Sequence, residues 1–165
     1  MRFTLLDKIT ELEPGKKLVA VKNLSLAEEY LADHFPGFPV MPGVFMLEAM
    51  TQAAAWLIRG SEDFAHSMVT LKEARNVKYA SFVEPGQTMV VTVESIGEMP
   101  GPEERTVKFK AQGQVGDVQT VSARLVLERY NLAAEDPTKQ VTDEVVKYKM
   151  RELFALLYKQ APVPV

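Results

Sequence analysis

From Thr88 to Tyr130, apolar and polar residues alternate with the period of half-buried strands. Thr88–Ile96 alternates through Val90, Thr92 and Glu94. Thr106–Gln114 sets Val107, Phe109 and Ala111 against Lys108, Lys110 and Gln112, and Val118–Tyr130 places Val121, Ala123, Leu125 and Leu127 on one face. Pro100-Gly101-Pro102 and Gly116-Asp117 fall between these runs, the second as a two-residue hairpin connection. Long strands joined by short turns predict an antiparallel meander. Upstream, Thr4–Glu13 and Lys16–Leu24 are two extended segments split by Pro14-Gly15, where glycine supplies the positive φ of a type II turn. Val69-Thr70-Leu71 and Val77-Lys78-Tyr79 are two further short extended pieces around the charged Lys72-Glu73 pair.

The pattern turns helical in two places. From Pro42-Gly43 to Gly60 the chain is apolar on almost every side, so the rest of the chain has to bury this helix. Proline suits a first turn, and Gly60 is placed as the residue just past the helix end. Thr138–Gln160 predicts a second helix through Val141, Val145, Tyr148, Leu153, Leu156 and Leu157, and APVPV is too proline-rich to continue it. Ser25-Leu26-Ala27-Glu28 matches a capping box, predicting a short helix to about Ala32. Ser61–Ser67 reads as a polar connector. The simplest assembly is α+β: a curved antiparallel sheet wrapped around one long central helix, with an additional C-terminal helix. That is a hot-dog arrangement over residues 1–132, followed by a helical extension over 133–165 that packs on the same domain or at a subunit interface.

Composition narrows the chemistry. The 165 residues suffice for one core, and 47% apolar with 25% charged residues is ordinary for a globular chain. A net charge of −3 gives no general pull toward nucleic acid or an anionic membrane. The absence of cysteine excludes a disulfide framework, a thiol nucleophile and a thiolate metal site. Asp7 and Lys8 interrupt any secretory apolar core, and Glu48 and Arg59 keep the longest apolar run short of the about 20 residues of a membrane span. The expectation is a soluble, cytoplasmic protein.

Glu48 and Gln52 stand one turn apart inside the apolar helix. An ionised carboxylate in such surroundings is costly, so Glu48 is expected to keep its proton and serve as a general acid, with Gln52 orienting it. The alternative is that the two satisfy each other or face a subunit interface. His34, one of two histidines, has the chemistry of a general base, while His66 in the polar connector reads as a surface residue. One histidine and one glutamate do not make a zinc site, and no GxGxxG, P-loop or nucleophile elbow occurs. The amides of Gly43 and Val44 open the helix at the positive end of its dipole, where they can hold a developing oxyanion. Base, neutral acid and oxyanion donor together describe elimination of water β to a carbonyl.

The run His34-Phe35-Pro36-Gly37-Phe38-Pro39-Val40-Met41-Pro42-Gly43-Val44, continuing through Leu47-Glu48-Ala49-Met50 to Gln52-Ala53, resembles FabZ-type 3-hydroxyacyl-[acyl-carrier-protein] dehydratases. Weaker resemblance, including Glu13-Pro14-Gly15 and Val83-Glu84-Pro85-Gly86, extends it over residues 4–130. It implies a hot-dog fold and conversion of (3R)-3-hydroxyacyl thioesters to trans-2-enoyl thioesters in fatty-acid or lipid biosynthesis. It assigns His34 as base, Glu48 of the neighbouring subunit as acid, the Gly43 amide to the thioester carbonyl and Gln52 as support for Glu48. It implies no cofactor, an acyl carrier protein as partner, and a homodimer or a hexamer built as a trimer of dimers. Departures are Asp33 in place of glycine before the histidine, Thr51 in place of alanine, and Ala80-Ser81-Phe82 in place of a basic, proline-containing run. A carboxylate at Asp33 favours protonated His34 where the side chains approach. Arg59, Lys72, Arg75 and Lys78 are candidates to replace the missing basic run in carrier docking. A hot-dog thioesterase and an inert acyl-binding protein are the competing readings.

Overall fold

The alternating segments pair into one antiparallel sheet in a computed structural model that describes residues 3–159. Its strands are β1 (Lys8–Glu13), β2 (Lys17–Asn23), β3 (Met68–Tyr79), β4 (Thr88–Ser95), β5 (Thr106–Val115) and β6 (Val118–Tyr130), in the order β1-β2-β4-β5-β6-β3. Two helices complete it, α1 (Gly43–Ser61) and α2 (Gln140–Leu157). The sheet wraps α1, which touches every strand from β2 to β6. Met50, Ala53 and Leu57 of α1 meet Leu18, Val91, Phe109 and Leu125 of the sheet in one core from which solvent is excluded. This is the expected hot-dog architecture, and the meander register follows the alternation, with Phe109 opposite Leu125 and Val107 opposite Leu127.

Several details depart from the sequence reading. Residues 4–7 are not strand. Leu5 and Leu6 are buried, and the Leu5 amide donates to Gln52 Oε1 at 3.0 Å, so this segment packs on α1 before β1 begins. The capping box does not form and only a 3-10 turn, Glu29–Leu31, appears. Ser25 Oγ accepts from the Ala27 amide, and the Glu28 carboxylate is taken by the buried Lys22 ammonium, which has Asp7 as its second counter-charge at 4.0 Å. The two short pieces near Lys72 are one continuous strand, β3. Register shifts between Leu71 and Glu73 and between Arg75 and Lys78 break its alternation, which is why the period of two is illegible there.

Gly60 does not end its helix. α1 runs on to Ser61, and the left-handed residues after it are Asp63 and Phe64, at φ 46° and 58°. Gly60 answers a packing need instead, since a Cβ there would lie 3.0 Å from Leu12 Cδ2 and 3.4 Å from Phe154 Cζ. The connector after it is not simply polar. Phe64 is buried, and the carboxylate of Glu62 pairs with the guanidinium of Arg129, which is buried in turn. Arg129 also donates to the carbonyls of Glu104 and Pro100, both at 2.9 Å, and of Gly101, fixing the loop before β5.

The second helix begins after a 3-10 turn, Pro137–Lys139, capped by Asp136. Asp143 in its first turn is buried and accepts from Ser67 Oγ and from the Leu132 and Ala133 amides, both at 2.9 Å. Burial pushes its carboxyl up, but those bonds and the Lys147 charge outweigh it, holding the group below its ordinary value. Near the other end Phe154 packs between Trp56 and Phe64, 5.8 and 5.5 Å away. Gln160 and the APVPV ending lie outside the described residues.

Candidate active site

The loop before α1 is fixed by its prolines and by a few backbone bonds. Phe38 N donates to Phe35 O at 2.7 Å, and Met41 N to Val83 O at 2.9 Å. Phe35 sits at φ 48°, a left-handed conformation that costs an L-residue with a bulky side chain on the order of 1–2 kcal/mol. Strain of this kind gathers where surrounding structure over-determines a functional loop. It lies next to His34, whose ring centroid is 4.4 Å from that of Phe35. Nothing in residue type foretold it.

α1 starts where Pro42, at φ −55° and ψ 136°, presents its carbonyl to the amides of Phe45 and Met46. The amides of Gly43 and Val44 have no acceptor among the described residues. His34, Gly43, Met46, Tyr79, Ser81 and Phe82 line one cleft of about 330 Å3. A Cβ at Gly43 would lie 3.0 Å from Tyr79 Cε1 and 3.1 Å from its Cδ1, so glycine lets the ring close against the helix start. Three exposed rings line the cleft, Phe35, Tyr79 and Phe82, and Phe38, also exposed, meets Phe82 edge-on at 5.5 Å.

Glu48 lies elsewhere. The helix expected to be buried all round leaves one strip open, with Val44 exposed and Phe45, Leu47, Glu48 and Gln52 only half-buried. Glu48 is not among the cleft-lining residues, and its Oε1 accepts from Gln52 Nε2 at 3.0 Å. The same nitrogen donates to the Phe3 carbonyl at 3.1 Å, and Gln52 Oε1 takes the Leu5 amide. Gln52 therefore ties the N-terminal segment to the candidate acid, a role its spacing did not reveal. Within one chain, His34 and Gly43 share a cleft, while Val44 and the acid candidate Glu48 are not among its lining residues.

The remaining candidates are dispersed. Asp33 is exposed and makes no ion pair with His34 among the described residues. Lys72 pairs with Glu128 at 3.7 Å and Arg75 with Glu73 at 2.6 Å. Arg59 lies over the Trp56 ring at 5.5 Å, and burial pulls its guanidinium down to about 10. Lys78 is exposed, one residue before Tyr79. His66 is half-buried beside Glu62 Oε2 at 3.2 Å rather than a free surface residue. Burial and the Lys147 charge hold its imidazole below the ordinary range, against a weaker upward pull from Pro102.

Comparison with known proteins bears on the fold and the family. A family model described as "FabA-like domain" matches residues 1–124. The 3-hydroxyacyl-[acyl-carrier-protein] dehydratase FabZ of Pediococcus pentosaceus is 45% identical over 91 residues, 55% of this chain and 61% of that protein. The match thus spans about three-fifths of the Pediococcus protein. The FabZ dehydratase of Symbiobacterium thermophilum is 33% identical over 137 residues, 83% of this chain and 94% of that one. Among solved structures, the dehydratase heterocomplex ApeI:P from Xenorhabdus doucetiae superposes with a TM-score of 0.62 at 18% identity, covering 79% of this chain and 85% of that one, a likeness of fold. With the helix-start cleft, the wrapped central helix and these matches together, the chain belongs to the FabZ-type 3-hydroxyacyl-[acyl-carrier-protein] dehydratase family.

Proposed function

We propose that the chain dehydrates 3-hydroxyacyl thioesters presented on an acyl carrier protein, using His34 of one protomer with Glu48 of its partner. His34 takes the α-proton, the Gly43 and Val44 amides hold the thioester oxygen as it becomes negative, and the β C–O bond breaks. Glu48 gives its proton to the departing hydroxyl, which leaves as water, and the proton held on His34 passes back to restore the acid. The product is the trans-2-enoyl thioester. The elimination is redox-neutral, so no electron acceptor enters the balance.

The observation that carries this reading is the joint lining of one cleft by His34 and the Gly43 backbone, with the only glutamate of α1 outside it. A second copy supplies the missing acid. β3 is one of the sheet's two edge strands, without a strand partner on its outer side among the described residues, and its last residue, Tyr79, lines the cleft, so pairing of two copies along β3 brings the second copy beside it. The assembly is then a homodimer, or a trimer of such dimers. Lys78, exposed next to Tyr79 at the end of β3, is the candidate for steering an acidic carrier.

The test is turnover of a 3-hydroxyacyl thioester, following enoyl absorbance and free thiol together. Enoyl product that disappears in His34→Ala and in Glu48→Gln supports the reading; free thiol instead points to hydrolysis. Mixing the two inactive variants should restore about a quarter of wild-type activity, because half the dimers regain one complete site. No recovery on mixing overturns the shared site.

A further inference from the structure

α2 has apolar residues on two opposite faces. On the inner one Leu157 is buried, and Met150, Leu153 and Phe154 pack on the core. That face is fixed, because Asp143 accepts from the Leu132 and Ala133 amides and Arg151 donates to the Asp63 carbonyl at 2.7 Å. At about 100° per residue, Val141, Val145 and Tyr148 fall together on the outer side. They are 74%, 46% and 63% exposed. A helix lying on a domain ordinarily turns polar side chains outward. Large apolar side chains in line, on a helix that is held against rolling, form a face for a second surface to cover.

The charges beside this stripe say which surface. Val141, Val145 and Tyr148 are spaced four and three, the core spacing of paired helices, and Glu144 and Lys149 stand directly before and after the Val145–Tyr148 pair. Those are the positions that carry ion pairs between helices. In two parallel copies of α2, Glu144 of each lies beside Lys149 of the other. Glu144 is exposed, with Lys147 of its own helix at 3.4 Å, and Lys149 is exposed and makes no ion pair among the described residues. In antiparallel copies Glu144 would share a flank with Arg151 instead, whose guanidinium is already held by Asp63 and lies over the Phe64 ring. The stripe is therefore complementary to itself in the parallel sense. Glu152, at the next core position, would oppose its own copy and ends the contact after about two turns.

We infer that the first half of α2 is a seam between two copies of this chain, joining dimers paired along β3 into a tetramer. Three side chains per copy cover far less than the about 1,200 Å2 of a free-standing interface, so one seam alone is weak. A β3-paired dimer carries two such stripes, and docking two dimers closes both seams at once. α2 lies beyond the residues 1–124 matched by the family model, so this contact is an addition to the shared domain. The tetramer rests on the β3 pairing proposed above and not on the chemistry. Sedimentation of the full-length protein tests it. Wild type should be a tetramer, and Val145→Asp and Tyr148→Asp, both at exposed positions, should sediment as dimers at concentrations where wild type is fully assembled. Glu144→Lys and Lys149→Glu should each lose the tetramer, and the two together should regain it. Assembly unchanged by Val145→Asp, or no recovery in the charge-swapped pair, overturns the seam. A wild-type dimer that Val145→Asp turns into monomers would keep the seam and sink the β3 pairing.

Discussion

Gln52→Ala tests the bracket that holds the N-terminal segment to the helix carrying Glu48. Three bonds are lost: from the Leu5 amide at 3.0 Å, to the Phe3 carbonyl at 3.1 Å, and to Glu48 at 3.0 Å. Hydrogen bonds of this kind contribute about 1 kcal/mol each. Gln52 and Glu48 are only half-buried, so water recovers part of this, and a net loss of about 2 kcal/mol is expected. For a chain of this size that lowers Tm by about 4–8 °C. The specific readout is hydrogen exchange at Leu5, a buried residue whose amide has Gln52 as its acceptor. Its protection should collapse while that of Val91 and Leu125 in the sheet changes only by the global amount. Unchanged Leu5 protection, or a Tm within about 1 °C of wild type, refutes the bracket. Gln52→Glu keeps an acceptor for Leu5 but sets a second carboxylate beside Glu48. Its stability deficit should match the loss of the two amide donations, to the Phe3 carbonyl and to Glu48.

Asp143 makes a pH prediction. Its folded-state value lies below that of the unfolded chain, so its stabilisation is complete above the unfolded carboxylate value, about pH 4, and is lost as pH falls through the folded one. Asp143→Asn should therefore be less stable at neutral pH and show a flatter acid limb in urea unfolding. Arg129→Met strands the buried Glu62 carboxylate and should cost about 3–5 kcal/mol, with a large part regained in the Arg129→Met, Glu62→Leu pair. Gly43→Ala brings a methyl 3.0 Å from Tyr79 Cε1, and the half-exposed ring can give way, so the stability change should stay under about 1 kcal/mol. Its kcat/KM should nonetheless fall about tenfold through the displaced helix start, with partial rescue by Tyr79→Ala.

Legibility followed the regularity of the chain. The meander from Thr88 to Tyr130 could be read because most of its inward residues are apolar and each turn carries its own residue types, and the register bears this out. β3 was read as two fragments because its bulges and the charged Lys72, Glu73 and Arg75 erase the alternation. The inward position of Arg129 was visible in principle, since it continues the face of Leu125 and Leu127, but its partners come from residues 62 and 100–104. At the candidate site, His34, Gly43, Glu48 and Gln52 stood out as residue types out of place. Tyr79 and the strained Phe35 did not, because a ring closing on a glycine and a left-handed φ are facts of three dimensions.

The position of α1 in the chain has a consequence for how the protein is made. α1 is complete at Ser61, but the strands that cover it from β3 through β6 follow later, and β3 waits for β6 to pair with it. A ribosome therefore exposes an almost wholly apolar helix until residue 130 has emerged. The clasp of Asp143 on Ser67 closes across 76 residues and comes later still. Long-range pairing of this kind is slow and leaves sticky surface in the open meanwhile. During synthesis the nascent chain should depend on a holding chaperone, and shortening the interval between α1 and β6 by circular permutation should relieve that dependence.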